Sequence, residues 1–274
     1  CQTLMAFFVV AVTTTDAPPA VPAIAERHRY SVPAGAPQVP MAPRRVAAAL
    51  VCTALTLLPS RQVSHRRPSG SADIAIDRDL IVVSDEVYEH LVYDDAEHVS
   101  IATLPGMWER TLVISSGGKT FNTTGWKVGW ICGPAKLVAA ARAAKQFLTY
   151  VSSGPFQPAI AVGLRLPDEY FRDLANDLQR KRDRLMRGLT AAGFEAYEPK
   201  GTYFVTVDIR PLRGDGDGYA FCRELPDRCG VVGIPNVVFY DRAHESEGRH
   251  LVRFAFCKRD EVIDEAVERL MGAV

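Results

Sequence analysis

Apolar residues follow two rhythms along this chain, and the change between them divides it. From Asp73 onward, short unbroken apolar runs alternate with stretches in which apolar residues recur every three or four positions. Ala75 to Asp79 reads as the tail of a helix. Leu80-Ile81-Val82-Val83-Ser84 and Thr111 to Ile114 read as buried strands, each running into polar residues at its carboxyl end. After the Gly133-Pro134 break, Ala135 to Tyr150 has a helical stripe of Leu137, Val138, Ala141, Ala144 and Leu148. Pro158 to Leu166 reads as a second helix. A long one over Pro167 to Ala192 places Phe171, Leu174, Leu178, Leu185 and Leu189 on one side, with Gly193 fitting its C′ position. Strands are expected over Phe194 to Tyr197, Thr202 to Ile209, Val231 to Ile234 and Leu251 to Phe256, with a helix over Tyr219 to Cys229. Asp260 is expected to cap a last helix whose inward residues are Val262, Ile263, Ala266, Val267 and Leu270. The pattern is α/β: a βα half followed by an α+β half.

Residues 1 to 72 have a different texture. They hold nine of the 18 prolines, seven arginines, no lysine and only two acidic residues, Asp16 and Glu26. Prolines at 18, 19, 22, 33, 37, 40 and 43 forbid a long helix or central strand there. Val46 to Leu58 offers one buried helix. The expectation for 1–72 is an extension without regular structure, or text that does not belong to the native reading frame.

Composition narrows the function classes. Hydrophobic residues make up 47% and charged ones 23% of 274 residues, enough for one large domain or two ordinary ones. Lys+Arg and Asp+Glu both number 32, which gives no electrostatic footprint for nucleic acid or an anionic membrane. The six cysteines show no metal-ligand or disulfide spacing, so no metal is expected and a reducing compartment, the cytoplasm, fits. The apolar runs Leu4 to Val12 and Val46 to Leu58 are shorter than the ~20 residues a bilayer span needs. The first has no basic leader and follows Cys1 rather than Met, so no signal peptide is expected.

The chemistry concentrates at the two strand ends. Asp85-Glu86-Val87-Tyr88 follows the first strand, where ligands bind in open α/β sheets. Ser115-Ser116-Gly117-Gly118-Lys119 follows the second, and Lys119 is the first lysine in the chain. A lysine after a small-residue turn is usually just solvated, and a lone Asp or Tyr at a strand end usually caps or packs. Together, an amine, a carboxylate and a phenol suggest pyridoxal phosphate: the amine engages its aldehyde and the carboxylate keeps the ring nitrogen protonated.

These segments, with Gly125-Trp126-Lys127-Val128-Gly129, Gly201-Thr202-Tyr203-Phe204, Ile234-Pro235 and Leu251-Val252-Arg253-Phe254-Ala255-Phe256, resemble the class I/II aminotransferases of fold type I. The flavour is that of the kynurenine/methionine branch, including N-succinyldiaminopimelate aminotransferases of lysine synthesis. The resemblance implies a partial large domain with a mainly parallel sheet over 73–160 and a C-terminal α+β small domain over 161–274. It implies pyridoxal phosphate as cofactor, with Lys119 as the Schiff-base lysine and proton shuttle, Asp85 on the pyridine nitrogen and Tyr88 on the phenolic oxygen. Ser116 and Lys127 would hold the phosphate, Lys127 standing where arginine is frequent, and Arg253 would take the substrate carboxylate. A buried structural ion pair is the competing role for Arg253.

An amino acid and a 2-oxo acid such as 2-oxoglutarate are the implied substrates, and a homodimer the implied assembly. The family's Asn-Pro motif, roughly 28 residues before the aspartate, has no counterpart, since no asparagine precedes Asn122. The family also places far more chain before its aspartate than the 84 residues found here. The competing readings are a C–S β-lyase on the same scaffold, a catalytically inactive fragment, and the sensing half of a transcription regulator. The last would need a helix-turn-helix upstream, which the proline-broken 1–72 does not offer.

Overall fold

The computed structural model describes residues 49–52, 68–151 and 153–273. In chain order the elements are β1 (Ala49–Cys52), α1 (Pro68–Asp77), β2 (Val82–Asp85), β3 (Thr111–Ser116), α2 (Gly117–Thr120), β4 (Gly129–Cys132), α3 (Ala135–Leu148), α4 (Gln157–Gly163), α5 (Asp168–Ala191), β5 (Glu195–Tyr197), β6 (Phe204–Asp208), α6 (Gly218–Cys229), β7 (Ile234–Pro235), α7 (Glu245–Gly248), β8 (Leu251–Ala255) and α8 (Asp260–Met271).

Two sheets organise them. The first has the order β1-β2-β3-β4; β1, β2 and β3 run parallel, and β4 returns antiparallel on β3. Helix α1 lays its small residues Ala72 and Ala75 against Val82 of β2, with Ile101 and Met107 closing that core. The second sheet, β5-β6-β8-β7, is antiparallel throughout. Its central strand β6 buries Val205, Thr206, Val207 and Asp208 in succession, which is why strict alternation fades there. Helix α5 covers this sheet with Leu178, Arg182, Leu185 and Leu189, spaced at four, three and four positions along one stripe. It ends where Gly193 takes φ +91°, a conformation costly for any residue with a Cβ.

The two halves are stitched by backbone. Tyr93 N–H donates to the Lys200 carbonyl at 3.0 Å and Thr202 N–H to the Leu91 carbonyl at 2.9 Å. The Tyr93 hydroxyl donates to the Thr202 carbonyl. Behind this seam sits Arg182, only 3% exposed, forked onto Asp94 at 2.7 and 3.0 Å and donating to the Pro199 carbonyl at 3.0 Å. A charged residue inside an apolar stripe is tolerated because each of these partners satisfies its fork.

Several expectations need correction. Within Val46 to Leu58, residues Ala49–Cys52 form a strand and not a helix: the run supplies a parallel edge partner for β2, and a short apolar run is ambiguous on periodicity alone. The flanking parts of that run lie outside the described residues. Regular structure also starts before Asp73, since α1 begins at Pro68. Gly129–Cys132, hidden inside a motif, is a strand. The strand expected over Val231 to Ile234 shrinks to Ile234–Pro235, the two residues that pair with β8, opposite Arg253 and Val252. Asp260 does not cap α8; Arg259 holds the cap position, and Asp260 instead accepts from Arg184 at 3.3 Å. Leu148, expected inward, is 80% exposed, beside Phe147 at 91%. No helix among the described residues is long and apolar enough to cross a membrane.

Candidate active site

The parallel pairing of β2 with β3 sets the site. Asp85 lies opposite Ile114 in the register, and Glu86 N–H donates to the Ile114 carbonyl at 2.8 Å, so the two polar strand ends leave the sheet side by side. Val87 N–H donates to Asp85 Oδ1 at 3.3 Å and orients the carboxylate. Burial raises the Asp85 carboxyl; that hydrogen bond and the charge of Lys119 oppose the shift.

Lys119 stands on the single helical turn α2, not on an open loop as its glycines suggest. Those glycines sit where neighbours approach closely. A Cβ at Gly117 would meet Ile160 Cδ1 at 2.5 Å, and one at Gly118 would meet Thr124 Cα at 3.1 Å. The Lys119 amine donates to the Tyr203 hydroxyl at 2.7 Å and lies 5.9 Å from the Tyr88 ring centroid. Tyr88 and Tyr203 meet edge to face at 5.4 Å. Burial first, and the Tyr203 hydroxyl second, push the Tyr88 phenol well above its ordinary range.

Arg253 on β8 faces the same cluster. Its guanidinium is sandwiched between the rings of Phe204 at 4.3 Å and Phe239 at 4.1 Å. Burial lowers its pKa, and the nearby charges that counter this are the phenols of Tyr88 and Tyr203. Its Nε is buried without a hydrogen-bond partner among the described residues. The structural ion pair that competed for this residue is therefore not seen among them.

Ser116 and Lys127 lie on the two arms of the β3–β4 connection. Ser116 pairs with Gly129, and Gly117 N–H donates to the Val128 carbonyl at 3.1 Å. Lys127 is exposed and holds φ +55°, a left-handed conformation that costs a non-glycine residue about 1–2 kcal/mol. The structure therefore gathers Asp85, Tyr88, Lys119 and Arg253 around one cluster, with Ser116 at the end of β3 and Lys127 two residues before its register partner Gly129.

Two residues escaped the sequence reading. Tyr203 lies within a quoted motif, yet a tyrosine entering a strand reads as core. Glu89 is buried behind the site, where it accepts from Ser115 Oγ at 3.0 Å; burial, helped by the negative charges of Glu86 and Asp85, pushes its carboxyl up to about 8. Nothing in the run Asp85 to His90 distinguishes Glu89 from the other carboxylates. Glu86 is instead tied to the loop by Ser84 Oγ at 2.8 Å, Ser100 Oγ at 2.9 Å and His98 Nε2 at 2.9 Å.

Residues 72–270 match the family model described as aminotransferase class I and II. A probable N-succinyldiaminopimelate aminotransferase of Mycobacterium tuberculosis is 51% identical over 205 residues, covering 73% of this chain and 51% of that protein. A kynurenine–oxoglutarate transaminase of Dictyostelium discoideum is 40% identical, covering 69% and 48%. The solved structure of the N-succinyldiaminopimelate aminotransferase from Mycobacterium tuberculosis superposes with a TM-score of 0.72 at 50% identity, covering 76% of this chain and 53% of that one. The chain spans about half the length of the curated relatives it matches.

Proposed function

Because the chain belongs to the class I and II aminotransferases, a family of fold type I pyridoxal-phosphate enzymes, we propose that it moves an amino group from an amino acid to a 2-oxo acid such as 2-oxoglutarate. One observation carries this reading: the Lys119 amine bonds to the Tyr203 hydroxyl of the Tyr88–Tyr203 pair, and Asp85 and Arg253, whose Nε is buried without a partner among the described residues, lie close to the same pair.

The residues present fit the cofactor. The amine of Lys119, the carboxylate of Asp85 and the phenol of Tyr88 stand together at the strand ends, the donor set suited to the cofactor's aldehyde, ring nitrogen and phenolic oxygen, while the orphaned Nε of Arg253 is left for the substrate. The glycines before Lys119 bring backbone, not side chains, to the strand end. When bound, pyridoxal phosphate supplies an aldehyde that engages amines and a ring that accepts electrons from the substrate's Cα. Asp85 would hold a proton on the ring nitrogen, Tyr88 would donate to the phenolic oxygen, and Ser116 and Lys127 would take the phosphate by hydroxyl and by charge. Arg253 would fork onto the α-carboxylate of the substrate, its plane fixed by Phe204 and Phe239. Lys119 Nζ, released from the cofactor, would carry the proton to and from Cα.

The relatives' names make N-succinyldiaminopimelate the first amino donor to test, with a place in lysine synthesis, and kynurenine the second. Residues 73–160 would form the remaining cofactor domain and 161–274 the small domain. The exposed apolar side chains Phe147, Leu148, Tyr150 and Val151 support a homodimer, and the free thiols of Cys132, Cys222, Cys229 and Cys257 support a cytoplasmic setting. The test is product formation by the full chain with pyridoxal phosphate and each donor, with and without 2-oxoglutarate. Product that requires the oxo acid supports transamination; thiol, ammonia and pyruvate released without it from a cysteine S-conjugate such as cystathionine, assayed alongside, would make the chain a C–S lyase. No turnover with any donor would leave it an inactive member of the family.

A further inference from the structure

We propose that Tyr203 is a positioning residue for the Lys119 amine, holding Nζ at the strand ends whenever that amine is free. The inference rests on Lys119 being the cofactor lysine. The Nζ-to-hydroxyl distance of 2.7 Å joins residues 84 positions apart, one on the first sheet's rim and one beside the second. A lysine side chain has four rotatable bonds and loses most of its rotamer freedom when fixed, so an amine without an anchor samples solvent as readily as the site. Tyr203 supplies a rigid anchor. Its ring packs edge to face on Tyr88 at 5.4 Å and tilted on Phe204 at 4.4 Å. Its carbonyl accepts from Phe256 N–H at 2.9 Å, and the preceding Thr202 is set at φ +67°, with its own N–H tied to Leu91.

The contact also has a timing. A lysine joined to the cofactor aldehyde would no longer offer the free amine seen in this bond, so Tyr203 would act in the state in which Lys119 must move a proton. Its hydroxyl then keeps Nζ beside the Tyr88 ring. Tyr203 would thus shape the proton-transfer step while contributing little to cofactor affinity. The seam Leu91–Tyr93 with Lys200–Thr202 fixes Tyr88 and Tyr203 relative to one another, so the anchor's geometry is inherited from the fold.

The experiment uses the full chain and Tyr203→Phe, which keeps both ring contacts and removes only the oxygen. In the first arm, without cofactor, trace acetylation by acetic anhydride is read by mass spectrometry at Lys119, with exposed Lys136 and Lys258 as internal references. Freed from its anchor, Lys119 should label about 3- to 10-fold faster in the variant, the factor expected for losing one hydrogen bond. In the second arm, with pyridoxal phosphate, borohydride should trap the cofactor on Lys119 equally in both proteins. The single-turnover reaction with an amino donor should slow about 10-fold or more in Tyr203→Phe, as misplacing the proton carrier demands. Unchanged Lys119 labelling overturns the inference and leaves the site reading intact, as does unchanged single-turnover rate with altered labelling. Absence of trapping on Lys119 in the unaltered chain overturns the site reading itself, while the first arm still reports on the hydrogen bond.

Discussion

Replacing Arg182 by methionine keeps an aliphatic stem within the α5 stripe and removes the fork behind the seam. The losses can be counted from the structure. Arg182 gives up two hydrogen bonds to Asp94, at 2.7 and 3.0 Å, one to the Pro199 carbonyl at 3.0 Å, and one from Nε to Asp183 at 2.8 Å. Water can take over the exposed Asp183 carboxylate at little cost. It also leaves the face of the Tyr93 ring, 5.3 Å from the guanidinium carbon. Breaking a fully buried pair costs about 3–5 kcal/mol because the remaining charge is stranded. Asp94 is less exposed to that penalty: its side chain is 27% accessible and keeps Lys200 at 2.9 Å. We therefore assign about 1–2 kcal/mol to the pair, about 1 to the orphaned carbonyl and about 0.5 to the ring, or roughly 3 kcal/mol in all.

Urea unfolding of the full chain, Arg182→Met, Asp94→Asn and the double variant measures this. The singles should fail to add, with a coupling of at least about 1 kcal/mol. Hydrogen bonds from Arg182 first and Lys200 second hold the Asp94 carboxyl far below its ordinary value. A carboxyl depressed in the folded state contributes stability fully above its unfolded pKa of about 4 and loses it as pH falls through the folded value. The difference between wild type and Arg182→Met should therefore be the same at pH ~7 and ~5 and narrow only in strong acid. A loss below about 1 kcal/mol, or additive singles, would refute the reasoning.

Other substitutions probe the rest of the account. Gly188→Ala should destabilise by about 1–3 kcal/mol despite its better helix propensity, since the new Cβ would stand 2.2 Å from Val267 Cγ2; Val267→Ala in the same chain should recover only part of the loss in thermal unfolding, the Cβ at that position still lying 2.9 Å away. Glu89 is buried with its carboxyl pushed up from 4.5 to about 8, so the folded state holds a proton that the unfolded chain releases across that interval. Stability should fall as pH rises through that window, and Glu89→Gln should flatten the fall, read as urea midpoints at about pH 5 and about pH 9. Arg253→Lys replaces a planar fork with a point charge and should raise KM for the amino donor about 10-fold or more, with a smaller effect on cofactor binding; steady-state kinetics and cofactor titration check both.

The legibility of this chain follows from which forces act locally. Strands β2 and β3, the α5 stripe and the final helix were readable because burial against one neighbour leaves a periodic record. β1 was not: four apolar residues suit a helix as well as a strand, and only pairing with β2 decides. Arg182 inside an apolar stripe was invisible, because its partners Asp94 and Pro199 lie 88 and 17 residues away. In the site, Asp85, Tyr88, Lys119 and Arg253 stand in short motifs that can be read along the chain, and the fold brings them around one cluster. Tyr203 was quoted but not given a role, because what makes it part of the site is a contact across 84 residues. The close approach of Ile160 to Gly117 likewise has no local signature.

The central claim is that Lys119 is the residue that engages pyridoxal phosphate. The most direct measurement is peptide mapping of the full chain after incubation with the cofactor and reduction by borohydride. The account predicts a single dominant pyridoxyl label on the peptide carrying Lys119, lost in Lys119→Ala. Label spread over exposed lysines such as Lys136 and Lys258, and unchanged by Lys119→Ala, would contradict it.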